Sequence, residues 1–246
     1  MCDSAQSRGR GWIGWQPMPE TPPAVPNGPW VDLSYRLSTS VPRASIFPEP
    51  SFRRVKSLPE EPINVTEMQM VVHIGTHVDA PRHFFMDGPA FHEIPLDRLA
   101  GEGVVVSVKN KVAGQAIEID DLEASGVEIR PGDIVALHTG WYHRAGSHDY
   151  HDHPHLSPAA ALWLAGRGIK LLACDMPTPD LPILRRPPDY NWPAHLTLLS
   201  RGILIAENVT NLDGFSNQRV EFAFLALNIE NSDGAPARVL ARPVQR

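Results

Sequence analysis

Five runs of apolar residues recur along the chain and predict its main strands. Within each run the apolar positions are nearly continuous instead of alternating with polar ones, which is typical of strands covered on both faces. The runs are "GVVVSV" at 103–108, "DIVALHT" at 133–139, "IKLLAC" at 169–174, "ILIAEN" at 203–208 and "FAFLALN" at 222–228. We therefore expect a sheet with other structure packed on both of its sides.

The stretch "SPAAALWLAGRG" at 157–168 has the end signals of a helix. Ser157 is suited to cap the helix, and Pro158 fits its first position because that position needs no backbone N–H donor. Gly166 or Gly168 is suited to end it. The sequence predicts one helix between these residues.

A second, shorter helix is predicted from about Asp120 to Gly126. Strands outnumber helices and alternate with them irregularly, so we expect a mixed α/β or α+β domain built on a curved mixed β-sheet. Residues 1–30 differ, because the stretch "PMPETPPAVPNGPW" within them cannot hold a regular helix or a central strand. We predict a proline-rich N-terminal arm over 1–30 and a single domain over 31–246.

Composition and net charge limit the classes of binding partner and the cellular location that we expect for the protein. The formal net charge of -6 gives no basic surface of the kind that binds nucleic acid or anionic membranes. We find no stretch as long as a membrane span and no apolar core of a signal peptide near the first residue. The chain has only two cysteines, Cys2 and Cys174, which argues against a disulfide framework and indicates a reducing, cytoplasmic location.

The segment "HIGTHVDAPRH", residues 73–83, spaces several metal-ligand types of side chain evenly. Its glycine, β-branched residues and proline disfavour a helix, so an extended strand is the better interpretation. Side chains two residues apart on a strand point the same way, so one side would present His73, Gly75, His77, Asp79, Pro81 and His83. The other side is largely apolar.

Two imidazoles and a carboxylate on one buried face are costly unless something replaces the lost water. A divalent metal does so, because neutral imidazole and carboxylate are ligands of Zn²⁺ and Mn²⁺. Gly75 is expected to leave room for the ion. The alternative is an exposed polar face on which the histidines lie by chance, and the added Asp79 and His83 favour the metal site. Mixed nitrogen and oxygen ligands without cysteine indicate an open, catalytic site.

The same segment resembles the H-x-G-T-H-x-D-x-P-x-H signature of the cyclase superfamily of metal-dependent hydrolases, which includes bacterial kynurenine formamidase and isatin hydrolase. Further segments are similar to family segments in the family order, namely "DLS" at 32–34, "LHTGW" at 137–141 and the stretches 153–180 and 194–212. The resemblance implies a swivelling β/β/α-type fold and a homodimer or higher homo-oligomer.

The resemblance also implies the metal ligands. His73 and His77 would bind the first metal, and Asp79 would bind one ion or bridge two. His195 and Glu207 stand where the remaining ligands of two-ion members lie, with Glu207 bridging. The implied cofactor is one or two divalent ions of manganese or zinc.

His83 is implied as the catalytic acid/base, and its imidazole suits proton transfer to a leaving amine because imidazole titrates near neutrality. A bound metal lowers the pKa of water to about 7 and polarises a carbonyl, which favours attack by hydroxide. We therefore expect an enzyme that hydrolyses a non-peptide C–N bond of a small aryl formamide or cyclic amide. Hydrolysis of a lactone or other cyclic ester is one alternative, and a non-catalytic metal-binding relative is another.

Other histidines and aromatic residues are given structural interpretations first. The stretch "SHDYHDHPH" at 147–155 is predicted to be a polar loop before the helix rather than a second metal tract. His138 is predicted to pack at a strand end. Six aromatic residues flank the site segments: Phe84, Phe85, Phe91, Trp141, Tyr190 and Trp192. Packing in the core is the commoner role for such residues, and stacking on an aromatic substrate is the alternative.

Overall fold

A computed structural model describes residues 11–19 and 25–245 of the chain. Within these residues there are twelve strands: β1 Val31–Asp32, β2 Ser51–Lys56, β3 Val65–Gln69, β4 His77–Asp79, β5 Ala100–Ser107, β6 Ala116–Ile117, β7 Ile134–His138, β8 His155–Leu156, β9 Leu171–Cys174, β10 Leu204–Glu207, β11 Arg219–Ala226 and β12 Gly234–Pro243. The α-helices of the same residues are α1 Ile119–Glu123, α2 Pro158–Gly166 and α3 Pro193–Leu199.

Eight strands form one mixed sheet that closes on itself. Their order is β1-β12-β11-β5-β7-β9-β10-β4, and β4 also pairs with β12. Strands β5, β7, β9 and β10 run parallel to their neighbours within this group, whereas β11, β12 and β4 pair antiparallel. The result is a barrel-like ring in which β4 is the closing strand, and the expected curved mixed sheet is confirmed.

Side chains of the ring alternate between two apolar cores. The inner core is packed by alternate residues such as Val78, Val105, Ala136, Ala173 and Ala206. The outer core is formed by the intervening residues of the same strands together with the helices, for example Val106, Leu137, Leu172, Ile205, Leu164 and Leu198. Both faces are therefore covered, which explains why the strand segments are continuously apolar.

The five predicted apolar runs correspond to β5, β7, β9, β10 and β11. The predicted helix at 157–168 is α2, and the hydroxyl oxygen of Ser157 accepts a hydrogen bond from the Ala160 N–H at 3.1 Å, as expected of a cap. The second predicted helix is the short α1. No helix of residues 11–19 and 25–245 is long and apolar enough to cross a membrane.

The prediction of one extended strand over residues 73–83 is wrong. Only His77–Asp79 is a strand, and Pro81–His83 forms a turn of 3₁₀ helix. Gly75 adopts a left-handed φ of 64°, which turns the chain before the strand, and a Cβ there would lie 2.7 Å from Val41 Cγ2. The glycine is thus required for a turn against Val41, not for space around an ion.

The described part of the predicted N-terminal arm lies on the body of the molecule. The Ile13 N–H donates to the Ser200 carbonyl at 2.8 Å, and the Gln16 N–H donates to the Arg201 carbonyl at 3.0 Å. Pro26 forms a bridge with Val244, next to the end of β12. The rest of the predicted arm, residues 1–10 and 20–24, lies outside the described residues, and the division into an arm and one domain stays a prediction.

Candidate metal centre and its cavity

Strand β4 brings His77 and Asp79 close to Glu207 of the neighbouring strand β10. In the antiparallel pair of β4 and β10, His77 faces Glu207 and Asp79 faces Ile205, so these side chains share the outer side of the ring. His77 Nε2 lies 3.4 Å from Asp79 Oδ1 and 3.4 Å from Glu207 Oε2. Three of the predicted ligands therefore converge through strand register.

His195 completes this group from helix α3. Its Nε2 atom lies 3.4 Å from Asp79 Oδ2 and 3.3 Å from Glu207 Oε1. The side chains of all four residues in this group are buried, Glu207 being the most exposed at 10%. Two imidazoles and two carboxylates thus face one another with little of their surface exposed.

His73 and His83 lie beside this group and share a carboxylate with each other. His73 Nδ1 is 2.7 Å from Asp79 Oδ1, and its Nε2 is 2.9 Å from Asp233 Oδ2. His83 Nδ1 is 3.3 Å from the same Asp233 oxygen, and the two rings stack with centroids 4.0 Å apart. His73, Asp79 and His83 also offer ligand atoms within 4.8 Å of one another.

The donor set fits a divalent cation. His77 Nδ1 must donate its hydrogen to the Gly75 carbonyl, 2.8 Å away, because a carbonyl can only accept. A neutral His77 then presents a lone pair at Nε2, which is buried without a hydrogen-bond partner and faces two carboxylates. Buried acceptors that face only acceptors are unfavourable unless a proton or a metal ion lies between them. Imidazole nitrogen and carboxylate oxygen are the ligand types of Zn²⁺ and Mn²⁺.

Protons and a metal ion compete for these groups. Burial lowers the pKa of His77, but its contacts with Asp79 and Glu207 outweigh burial and raise the pKa to about 10. Burial likewise opposes ionisation of Glu207, yet contact with His195 and His77 holds its pKa below the usual value. The metal-free chain therefore keeps protons on the imidazoles, and metal binding must release them.

Asp180 orients His195 and was not singled out from the sequence. Asp180 Oδ2 accepts from His195 Nδ1 at 2.5 Å, and its Oδ1 accepts from the Tyr190 hydroxyl at 2.7 Å and from the Ala194 N–H at 3.0 Å. This arrangement aims Nε2 of His195 at Asp79 and Glu207. Asp180 is the last residue of the stretch 153–180 that is similar to a family segment, and this similarity was the signal available in the sequence.

A cavity of about 1000 Å³ opens next to the metal centre. His73, His83, His195 and Glu207 lie in its wall. The Phe84 ring stacks on His195 with centroids 4.8 Å apart. The aromatic residues of the cavity wall thus combine with the polar centre to form a pocket suited to a small aromatic molecule.

Some of the flanking aromatic residues line the cavity, where they can contact a substrate, and others have structural roles. Phe84 and Trp192 line the cavity. Tyr190 instead binds Asp180 through its hydroxyl group. The remaining three are buried in the cores, Phe85, Phe91 and Trp141.

The histidine-rich loop is less simple than predicted. It contributes His148, His151 and His153 to the cavity wall. His153 is buried, its Nδ1 donates to the Pro154 carbonyl at 2.7 Å, and burial lowers its pKa to about 4. The stretch precedes α2 as predicted, and no metal-ligand group of the described residues includes its histidines, although His153 is buried instead of solvent-exposed. His138 is packed at the end of β7 as expected.

A sequence profile of the Cyclase family matches residues 31–181. The chain is 30% identical over 219 residues to the kynurenine formamidase of Bacillus mycoides (strain KBAB4), covering 87% of this chain and 98% of that protein. It is 31% identical over 219 residues to the kynurenine formamidase of Geobacillus thermodenitrificans (strain NG80-2), covering 87% and 97%.

The fold also has solved relatives. Isatin hydrolase A from Labrenzia aggregata, solved with benzyl benzoate bound, matches with a TM-score of 0.81 at 22% identity, over 88% of this chain and 94% of that one. This likeness shows a common fold. Together with the match of the profile and the identity to full-length relatives, it confirms the resemblance inferred from residues 73–83. The chain belongs to the cyclase superfamily of metal-dependent hydrolases.

Proposed function

We propose that the protein is a metal-dependent hydrolase that cleaves the C–N bond of a small aryl formamide or cyclic amide. The observation that carries the proposal is the buried group of His77, Asp79, His195 and Glu207 beside an aromatic cavity, with Nε2 of His77 lacking a hydrogen-bond partner. The full-length relatives named kynurenine formamidase support the formamide class.

The ion would be held by His77, Asp79, His195 and Glu207, with His73 as the fifth predicted ligand. One or two ions, manganese or zinc, suit these nitrogen and oxygen donors. When bound, such an ion polarises a carbonyl group and lowers the pKa of water. Asp180 holds the ring of His195 in place for this role.

His83 is the proposed catalytic acid/base. It lines the cavity, and a hydrogen bond from its Nδ1 to Asp233 leaves the other ring nitrogen to exchange a proton with substrate. A leaving amine needs a proton as the C–N bond breaks, and imidazole supplies it near neutral pH. Phe84, stacked on His195, would contact the aromatic ring of the substrate.

The function is tested by metal removal. Chelator-treated protein and protein reconstituted with Mn²⁺ or Zn²⁺ are assayed on N-formylkynurenine, isatin and a dienelactone, with metal content determined in parallel. We expect turnover of an amide substrate that disappears with the metal and returns on reconstitution.

The other outcomes distinguish the alternatives. Turnover of the lactone alone would replace the amide assignment by an ester one. A fully metallated protein that turns over none of the three would favour a non-catalytic role. Metal content is also compared with that of His77→Ala, the control that lacks one ligand. If the wild-type protein binds no more metal than this variant, the metal site itself is overturned.

The proposal extends to assembly and location. A cytoplasmic protein is supported by its content of two cysteines, of which Cys174 is buried and free. A homodimer or higher homo-oligomer follows from the family resemblance alone. Light scattering at several protein concentrations tests the oligomeric state, and a molar mass of one chain throughout would contradict it.

A further inference from the structure

Two of the three arginines in the cavity wall are neutralised by carboxylates. Arg43 Nη2 lies 2.8 Å from Glu49 Oε1. Arg185 binds Asp152 through two nitrogens, with Nη2 donating to Oδ2 at 2.7 Å. These two charges are already satisfied within the protein, so neither is free to bind an anion in the cavity.

Arg186 is the exception among the described residues of the cavity wall. Its Nε donates to the Leu181 carbonyl at 2.7 Å. Its guanidinium carbon lies 5.1 Å from the centroid of the Trp192 ring and 5.3 Å from that of the Tyr190 ring. Within residues 11–19 and 25–245, no carboxylate lies within ion-pair distance of Arg186 and neither of its Nη atoms has a hydrogen-bond partner.

The guanidinium is therefore held in place before any ligand binds. The hydrogen bond from Nε and the two aromatic contacts restrict the side chain, which lowers the entropy lost on binding. The side chain is half-buried with no carboxylate in ion-pair contact, and the more distant charges of Asp180 and Glu207 only partly offset burial, which lowers its pKa. An anion that enters the cavity would supply the direct partner that the guanidinium lacks. The two Nη groups match the geometry of a carboxylate, which they can bind through two parallel hydrogen bonds.

We infer that Arg186 binds a carboxylate on the substrate, which makes the preferred substrate an acidic aryl formamide instead of a neutral cyclic amide. The scissile group would lie at His83 and Glu207, and the carboxylate at Arg186, in the same cavity. The identity of the substrate rests on the proposed function, but binding of the carboxylate does not require turnover. Arg186 lies in the segment "LRRPPDYNW" at 184–192, outside the stretches that resemble family segments.

The kinetic test compares two substrates that differ only in the acidic group. One is N-formylkynurenine, and the other is its decarboxylated analogue, which keeps the aryl formamide and the amine. In Arg186→Gln we expect kcat/KM for the acidic substrate to fall by about 10- to 100-fold, mostly through KM, while the neutral analogue changes by less than about 3-fold. Arg186→Lys should recover part of the loss, since it keeps the charge and loses the planar fork.

The matched control is Arg167→Gln. Arg167 also stacks on an indole, with its guanidinium carbon 4.4 Å from the centroid of Trp163, but it does not line the cavity. Its substitution should leave both substrates unchanged. An equal loss for both substrates in Arg186→Gln, or no loss for either, would overturn the inference, and melting curves show whether each variant is folded.

A binding measurement keeps the inference separate from the proposed function. Titration calorimetry compares kynurenine with decarboxylated kynurenine in wild-type protein and in Arg186→Gln. Tighter binding of the acid by wild type, abolished in the variant, supports Arg186 even if no substrate is hydrolysed. Equal affinity of wild type for both molecules overturns it even if hydrolysis is observed.

Discussion

Three of the four imidazoles in the centre have Nδ1 occupied by an oxygen acceptor, and this fixes what the other nitrogen can do, whereas both nitrogens of His73 face carboxylates. Gly75 occupies Nδ1 of His77, Asp180 occupies Nδ1 of His195, and Asp233 occupies Nδ1 of His83. The first two residues are left with Nε2 aimed at carboxylates, whereas His83 lies beside the cavity. At the scale of single residues, the proposed ligands His77 and His195 therefore differ from the proposed proton donor His83 in the surroundings of the second ring nitrogen.

For His83→Ala we expect retained metal and a loss of turnover of about 10²- to 10⁴-fold, because only the proton transfer is removed. Elemental analysis and kcat are measured on the same preparation. His148→Ala is the control, since His148 also borders the cavity but its side chain is 98% exposed. Parallel loss of metal and turnover would instead make His83 a ligand, which its proximity to His73 and Asp79 permits.

For Asp180→Asn we expect metal affinity to fall by about 10- to 100-fold, because the amide no longer holds the ring of His195 by a charged hydrogen bond. Competition with a chromophoric chelator measures the affinity. Asp149→Asn, in the loop that borders the cavity, is the control because its side chain is 71% exposed. Unchanged affinity in Asp180→Asn would mean that α3 alone positions His195.

At the scale of elements, β4 is short but is held on both edges. Its Asp79 is paired with Ile205 of β10 on one side and with Gly234 of β12 on the other. Gly234 is packed so closely that a Cβ there would lie 2.7 Å from Cε1 of His73 and 3.0 Å from the Val78 carbonyl oxygen. The closing strand thus leaves space for His73 only because β12 begins with glycine.

For Gly234→Ala we expect displacement of His73 and weaker metal binding, by about 10-fold or more, since the added methyl group and the ring cannot occupy the same space. Metal titration measures the effect, and denaturation in urea reports the stability of the fold. Gly214→Ala is the matched control, because its Cβ would meet no atom within 4 Å. Wild-type metal affinity in Gly234→Ala would show that His73 is not needed as a ligand.

At the scale of the whole molecule, a buried carboxylate links stability to pH. Asp175 accepts hydrogen bonds from the Thr139 hydroxyl at 2.5 Å and from the Gly140 N–H at 2.7 Å, but burial dominates and raises its pKa to about 6. Between the unfolded value of 3.8 and about 6, the folded chain holds a proton that the unfolded chain has lost. This group's contribution to stability is therefore greatest below pH 4 and declines as pH rises to 6.

We expect the free energy of unfolding of wild type, relative to Asp175→Asn, to fall by about 2 kcal/mol between pH 4 and pH 6.5, because most of the shift, at about 1.4 kcal/mol for each pKa unit, is lost in this range. Urea denaturation of both proteins in the presence of chelator measures this difference, and the metal-linked pH dependence cancels. A difference that is constant with pH would contradict the raised pKa.

The parts of the molecule that could be predicted from the sequence are those with a local signal. The apolar runs of β5 and β7 mark buried strands, and Ser157 marks the start of α2. Strand β12 was missed because Pro236, Arg238 and Arg242 interrupt its apolar pattern. Its inner side chains are nevertheless buried against β11 and β4.

The predicted site residues lie together, but the reason could not be found in their spacing. The continuous strand assumed for residues 73–83 does not exist, and the pairing of β4 with β10 brings His77 to Glu207 instead. Asp233 is 160 residues away from His73, and no local pattern connects the two. Contacts of this kind depend on the closure of the ring, which a single sequence does not reveal.

The closure of the ring by β4 also bears on when the protein can acquire its metal. The histidine segment is synthesised early, whereas Glu207 and the partner strand β12 follow much later in the chain. Such distant pairings form slowly because a long loop must be closed first. A nascent chain that has not yet produced β10 and β12 has histidines but no site. Capture of the metal by the full set of ligands therefore has to wait until β10 and β12 have been synthesised and paired with β4, and an ion held by that set reports a closed ring.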